Sequence, residues 1–454
     1  KFCEVDEGAI DLLSTKAYQT VYESEAHLRN VNEYLNWTYL ALNEPVYHHI
    51  LWRARKKICK LLGTFDFDRF EAACAFSHGA TAVTPRRRGQ APFKFANGEP
   101  EVTLNALPIA KRLIAGSDTW SENVKQVRVI RGSRGTTVEK DSNKRRFIGC
   151  EGTLNVYGQK GLGAIIREEL LTVGINLNDQ SVNQRLAKLA SLLNHQATVD
   201  LSNASNGNSI GICRLLLPED WFFMIMSLRS EEIQIDGEWH LLEMVSSMGN
   251  GFTFELESMI FWAITQSCED ICAESRGIRP SKCSVYGDDI ICSSYCNSIL
   301  QAVLELCGYS YNVDKTFSFG PFRESCGKHY FNGVDVSPFF IHEPIIDPLG
   351  LIGLCNRLRR WSSDDSRYKG LYDWCKKFLP DFWQRPRIPD GMGDGALFGP
   401  LAEVLPSFNR SGVYSAPIIQ IVERRVADTD DDYDELTSTF DGRGGYLAHM
   451  NKTC

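Results

Sequence analysis

A chain of 454 residues is long enough for two or three domains or one multi-lobed enzyme. Its 43% hydrophobic and 23% charged content excludes a disordered or fibrous protein. A net charge of −8 gives no global signal for polyanion binding, no apolar run approaches the ~20 residues of a membrane helix, and no secretory signal pattern opens the chain. The fifteen cysteines are odd in number and scattered, which argues against a disulfide framework. The pairs Cys268/Cys272 and Cys292/Cys296 are each spaced CxxxC with no His or second pair nearby in sequence to complete a zinc set, so buried free thiols in a reducing cytoplasm are expected.

In chain order, residues 8 to 63 carry helix-spaced apolar positions, including Leu12, Leu13, Tyr18, Val21, Ile58 and Leu61, with Gly63 as a stop. Residues 77 to 100, rich in Gly, Pro, Thr and Arg, read as loop. From Lys125 to Arg146 eight basic residues face only Glu139 and Asp141, and partial alternation predicts strands around a basic loop. Two further basic clusters, Arg53 to Lys60 and Arg86-Arg87-Arg88, offer local polyanion surfaces or merely solvated faces. Residues 153 to 193 read as helix, and Ala197 to Leu201 is a short β-run containing Asp200. A long amphipathic helix is expected from Gly251 to Cys272, a helix over Ser298 to Cys307, a strand over Tyr309 to Val313 and a hairpin over Tyr330 to Phe340. Beyond about residue 346 the pattern is helical, ending in an acidic tail from Asp428 to Glu435 that reads as solvated.

The most telling segment is Tyr286-Gly287-Asp288-Asp289, two adjacent acids at the tip of a predicted hairpin. Adjacent carboxylates repel, and a divalent cation resolves that conflict. Nucleotidyl transfer needs two such ions, one at the attacking and one at the leaving oxygen. An Asp-rich solvated turn is the plainer alternative. Asp200, at the end of its β-run, is the candidate third acid, or else a helix cap. Ser246 to Gly251 is a small-residue loop opening a helix, suited to close approach by a nucleotide. Lys315 is a candidate proton donor, and Lys140 and Arg146 are candidate triphosphate grips.

The order Asp200-Leu201-Ser202, Ser246 to Gly251, Tyr286 to Asp289 and Lys315-Thr316-Phe317 resembles motifs A, B, C and D of an RNA-dependent RNA polymerase. Longer stretches, among them Gly174 to Gln180, Phe254 to Ser258, Gly320 to Tyr330 and Ile388 to Gly391, resemble the replicase subunit of the positive-strand RNA bacteriophages, the leviviruses of Q-beta type. The resemblance spans about residues 52 to 400. It implies an α+β right-hand fold whose antiparallel palm sheet carries Asp200, Asp288 and Asp289 around two Mg2+ ions, with Mn2+ as a substitute. By that likeness residues 1–194 are fingers and N-terminal region, 195–213 palm with motif A, 214–243 a fingers insertion, 244–345 palm with motifs B to E, and 346–454 thumb and C-terminal region.

Lys140 and Arg146 match the basic motif that holds the triphosphate, Ser247, Gly249 and Asn250 the loop that monitors the nascent pair and ribose, and Lys315 the proposed proton donor. The resemblance further implies primer-independent initiation, template and product RNA and ribonucleoside triphosphates as ligands, host elongation factors Tu and Ts and ribosomal protein S1 as partners, no membrane, and the cytoplasm of an infected bacterium. Two departures stand out. Asn206 occupies the place of the last motif A acid, keeping hydrogen-bonding capacity for a ribose hydroxyl without the charge. Glu257 stands four residues after Thr253, where many polymerases carry Asn, although the phage family shares the Glu. The chain begins inside the family's N-terminal region, so a short leading segment is expected to be missing. A reverse transcriptase and a non-catalytic RNA-binding derivative are the competing readings.

Overall fold

The computed structural model describes residues 7–141, 143–341, 345–361 and 369–385, and short stretches at 387–389, 393–399, 404, 407–408, 414–415, 417–418 and 446–447. The chain divides into two compact units, Glu4–Ser337 and a second formed chiefly by Pro338–Cys454. In the first, the N-terminal helical pattern becomes α1 (Glu7–Tyr34) and, after a short helix capped by Asn36, α2 (Pro45–Leu62), which starts on proline and stops at Gly63. A basic hairpin follows, β1 (Ser133–Asp141) and β2 (Lys144–Cys150), then α3 (Thr153–Thr172) and α4 (Ser181–Leu193). Strand β3 (Gln196–Val199) precedes β4 (Glu232–Ile235) and β5 (Glu238–Leu241). The long helix α5 (Thr253–Arg276) leads to β6 (Ser284–Tyr286), β7 (Asp289–Ser293) and α6 (Asn297–Leu306).

Helix α5 is buried on nearly all sides, from Leu256 through Met259, Phe261 and Ile264 to Cys272, as expected of a helix through the centre of a core. It packs on α2, α3 and the β6–β7 hairpin. Two sheets matter most. β3, β7 and β6 form one in the order β3-β7-β6, antiparallel throughout. The other, in the order β2-β1-β4-β5, joins the basic hairpin to the 232–241 hairpin.

Several local expectations change. The strand near Tyr309 shrinks to Ser310–Tyr311. The hairpin expected at Tyr330 to Phe340 lies earlier, as a meander of β8 (Phe322–Ser325), β9 (Lys328–Phe331) and β10 (Val334–Asp335). Its two turns are Cys326-Gly327 and Asn332-Gly333, all four residues at positive φ, the geometry of two-residue hairpin loops. The loop expected over 77–100 contains a 3-10 turn at Arg86–Arg88 and a short helix at Ala91–Phe95. The two CxxxC pairs, separate in sequence, meet in the core: hydrogen bonds from Cys268, Cys292 and Cys272 lower the Cys296 thiol below the usual cysteine range.

The meander is tied to β3 by Arg323, which is fully buried. Its guanidinium donates to the carbonyls of Gln196 (2.7 Å), Gly320 (2.8 Å) and Phe322 (2.7 Å) and to Asn194 Oδ1 (2.8 Å). The second unit contains α7 (Pro348–Trp361) and α8 (Lys369–Lys376), packed around Ile352, Cys355, Leu358 and Cys375, with the short parallel pair Arg387–Ile388 and Leu397–Phe398. The acidic tail from Asp428 to Glu435, and Asp390-Gly391, lie outside the described residues.

Arg323→Ala strands several buried carbonyls, each at the cost of an unmet hydrogen bond. It should lower the free energy of unfolding by about 3 kcal/mol or more, read as a shifted urea midpoint.

Candidate active site

The β6–β7 hairpin turns through Gly287-Asp288, with Tyr286 paired to Asp289. Gly287 sits at φ +60, and a Cβ there would meet the Phe254 ring at 2.6 Å, so the turn needs glycine for both backbone and space. Its N–H donates to Ser258 Oγ of α5 at 3.0 Å. On the other side of β7, Val199 pairs with Ile290. One further step along that antiparallel register sets Asp200 opposite Asp289. A strand end and a hairpin tip therefore bring Asp200 to the adjacent pair Asp288-Asp289, from which it is far apart in sequence.

Burial is the leading cause that raises all three carboxyls; the charge of Asp288 adds to it at Asp200, and the charges of Asp288 and Asp200 add to it at Asp289. Asp289 is pushed up to about 6. Its Oδ1 accepts from the Cys326 N–H (3.0 Å) and Ser325 Oγ (3.1 Å) of the meander. Asp200 Oδ2 accepts from Asn312 Nδ2 at 2.7 Å. Asn183 of α4 donates to the Asp289 carbonyl at 3.0 Å and accepts from Ser284 Oγ at 2.6 Å, clamping both hairpin strands.

Positive charge converges on the same point. Lys315, Arg146 and Lys140 all stabilise the ionised Asp288, and Lys315 is the strongest counter-charge on Asp200. Arg146 pairs with Val138 across the basic hairpin, and Lys140 occupies the register shift between Glu139 and Asp141. Lys315 is exposed, 3.8 Å from Glu324.

The loop from Ser246 to Gly251 is a built element. Gly249 lies at φ +106, and a Cβ there would stand 2.3 Å from the Gly149 carbonyl. The Gly149 N–H donates to the Met248 carbonyl at 2.8 Å, stitching the loop to the end of β2. Asn250 Nδ2 reaches Glu151 Oε1 at 3.4 Å while its Oδ1 accepts from the Phe252 N–H at 3.1 Å. Thr253 Oγ1 donates to the Ser247 carbonyl at 2.8 Å, and Ser247 is itself buried. In this structure Ser247 and Asn250 shape the loop.

Asn206 ends a 3-10 turn, Ala204–Asn206, that packs on α5. It lines a cavity of about 220 Å³ shared with Ser24, His27, Ser202 and Tyr309. Its buried Oδ1 has no hydrogen-bond partner.

Sequence reasoning assigned no role to Asn183, Asn312, Ser325 or Cys326. For Ser325 and Cys326 the signal lies in the stretch Gly320 to Tyr330, whose likeness is visible without its purpose; Asn183 and Asn312 carry no such signal. Glu257 is 3% exposed, and its Oε2 has no partner. Burial first, then the charge of Asp288, pushes its carboxyl up to about 8.

Among the described residues no group of three or more His, Cys, Asp or Glu side chains is gathered as a ready metal-binding cluster. The donor chemistry nonetheless suits a hard cation: three oxygen-bearing acids, all raised by burial and two of them also by a neighbouring carboxylate, are what a bound divalent ion would relieve.

Residues 6–441 match the family described as RNA replicase, beta-chain. The chain belongs to that family. It is 42% identical over 428 residues to the RNA-directed RNA polymerase subunit beta of Enterobacteria phage SP, covering 90% of this chain and 72% of the phage protein. Against the subunit of Escherichia virus Qbeta it is 42% identical over 375 residues, 81% of this chain and 62% of that protein. Against the Enterobacteria phage GA beta chain it is 37% identical over 357 residues, 76% of this chain and 65% of that one. The chain thus spans about two-thirds of the length of these relatives. As a replicase beta-chain it is an RNA-directed RNA polymerase subunit, and the reverse-transcriptase reading falls away. Among solved structures, a human picobirnavirus RNA-dependent RNA polymerase aligns at 10% identity and TM-score 0.41, covering 74% of this chain and 82% of that one. No helix among the described residues is long and apolar enough to cross a membrane.

Glu257 carries a pH signature. Its folded pKa lies above the unfolded value of 4.5, so the native state binds the extra proton. Stability is therefore greatest below about 4.5 for this group and is lost as pH rises toward 8, by about 3–5 kcal/mol. In divalent-free buffer Glu257→Gln should flatten that decline, seen in urea midpoints taken across the range.

Proposed function

We propose that this replicase beta-chain makes RNA by two-metal nucleotidyl transfer at Asp200, Asp288 and Asp289, starting without a primer. The observation that carries this reading is the register that sets Asp200 opposite the Asp288-Asp289 turn, with Lys140, Arg146 and Lys315 in electrostatic reach. Two magnesium ions held by those acids, or manganese in their place, would supply charge neutralisation at the attacking 3′-oxygen and the departing pyrophosphate. The chain's own groups do the rest. Lys140 and Arg146 hold the triphosphate, Arg through its bidentate fork. Lys315, exposed beside Asp200 and Asp288, donates a proton to the leaving pyrophosphate oxygen. The loop of Ser247, Gly249 and Asn250 sets the floor under the nascent pair, and Asn206 offers its free amide oxygen to a ribose hydroxyl.

On the same reading residues 1–194 and 214–243 act as fingers, 195–213 and 244–345 as palm, and 346–454 as thumb and C-terminal region, in the cytoplasm of an infected bacterium. Template and product RNA and ribonucleoside triphosphates are the ligands. Host elongation factors Tu and Ts and ribosomal protein S1 are proposed partners on the family likeness alone.

Labelled GTP incorporation on a C-rich RNA tests the reading, with the host factors added. Asp288→Asn should lower incorporation by about 10³-fold or more, and chelation of magnesium should abolish it. Unimpaired synthesis by Asp288→Asn would overturn the assignment. Lys315→Ala should cost about 10²-fold in the rate of a single turnover while nucleotide affinity changes less.

A further inference from the structure

Arg86, Arg87 and Arg88 form a 3-10 turn entered from Pro85 and closed by Gly89. All three are exposed. Some exposed arginines of this unit pair with acids, Arg69 with Glu168 and Glu169 and Arg131 with Glu232, as does the half-buried Arg53 with Glu274, whereas among the described residues the exposed Arg214 and Arg279 have no ion pair. Among the described residues no acid lies within ion-pair distance of this triplet. A 3-10 turn advances about 120° per residue, so the three guanidinium groups fan outward from one short segment.

The segment that carries them is well anchored. The Gly79 N–H donates to the Gly89 carbonyl at 3.2 Å, and a Cβ on Gly89 would sit 2.4 Å from the Gly79 oxygen. Thr84 N–H donates to Thr81 Oγ1 at 3.1 Å, and that hydroxyl also meets Thr153 Oγ1 at 3.0 Å at the start of α3. The Ala82 N–H donates to the Glu151 carbonyl at 2.8 Å. Lys94, only 2% exposed, donates to the Ser77 carbonyl at 2.8 Å, with its ammonium 5.6 Å from the Phe76 ring centre. Binding at the turn therefore costs little ordering of the loop.

Location and neighbours narrow the partner. Glu151 directly follows β2, the strand that carries Lys144, Arg145 and Arg146, and its side chain holds Asn250. The triplet is thus anchored at the base of the basic hairpin, beside the loop of Ser247 to Asn250. Val83 and Phe93, within a few residues of the triplet in sequence and about half exposed (48% and 53%), add apolar surface to the same segment. Unpaired guanidinium groups with adjoining apolar and aromatic faces suit a flexible polyanion carrying planar rings.

We propose that Arg86, Arg87 and Arg88 form a backbone grip for single-stranded template RNA outside the catalytic acids. The proposal rests on the reading of the chain as an RNA-templated polymerase. The triplet contributes affinity and no sequence preference, since guanidinium–phosphate contacts carry no base information.

The test uses the full chain and a short unstructured labelled RNA, with binding followed against salt. Each phosphate contact on a single strand contributes about 0.7 to the slope of log K against log salt, so Arg86→Ala/Arg87→Ala/Arg88→Ala should lower that slope by about 2 and weaken binding about tenfold or more. The corresponding triple Lys variant should keep most of the slope. An unchanged melting temperature would separate this loss from misfolding. Unaltered slope and affinity in the Ala variant would overturn the proposal, as would a loss confined to anionic lipid vesicles. If the unmodified chain binds RNA through this turn yet incorporates no nucleotide, the grip stands and the polymerase reading of the acidic site fails.

Discussion

Three mutually repelling carboxylates held where the end of β3 meets the β6–β7 turn are the constraint around which this molecule is built. Antiparallel pairing of β3 with β7 forces Asp200 opposite Asp289, and the Gly287 turn puts Asp288 beside both. Burial raises every one of them, so ionising all three together is electrostatically unfavourable. Much of the neighbouring architecture offsets that strain. Asn312, Ser325 and the Cys326 N–H donate to the carboxylates, while Lys315, Lys140 and Arg146 supply positive charge. Glu257, close enough to feel Asp288, stays protonated near neutral pH and so adds no fourth charge.

Rigidity comes from long-range ties. Helix α5 underlies the hairpin through Ser258, and α4 clamps it through Asn183. Arg323 spends its donors on carbonyls and an amide oxygen, which joins the meander to β3 with no buried carboxylate needed. Arg167 of α3 binds Glu255 of α5 at 2.5 Å and also the Leu177 carbonyl at 2.7 Å. These bonds fix the acids from several directions, as a site needs when a small misplacement costs rate.

The sequence was legible where local chemistry suffices. Apolar β-type runs on either side of the two acids and the glycine at the turn announced the hairpin, and helical periodicity placed α5 and α6 nearly to their ends. It was less legible where two-residue turns compete with weak strands. Asn332-Gly333 is a strong hairpin signal, yet the flanking strands are only two to four residues long, and the meander was expected too late in the chain. The CxxxC pairs show the same limit: each looked incomplete, because only the packing of α5 against β7 and the turn after it brings Cys268 and Cys272 to Cys292 and Cys296.

Residue order alone therefore determined the chemistry available: paired acids after a β-run, a glycine-rich loop before a helix, basic residues upstream, and the phage replicase likeness that these carry. Tertiary structure decided which side chains have hydrogen-bonding capacity left. Asn250 and Ser247 are committed to their own loop, whereas Asn206 and Glu257 keep an unpartnered buried oxygen each. The physical reason is that burial and hydrogen-bond saturation depend on what packs around a residue, and those neighbours lie tens to hundreds of positions away along the chain.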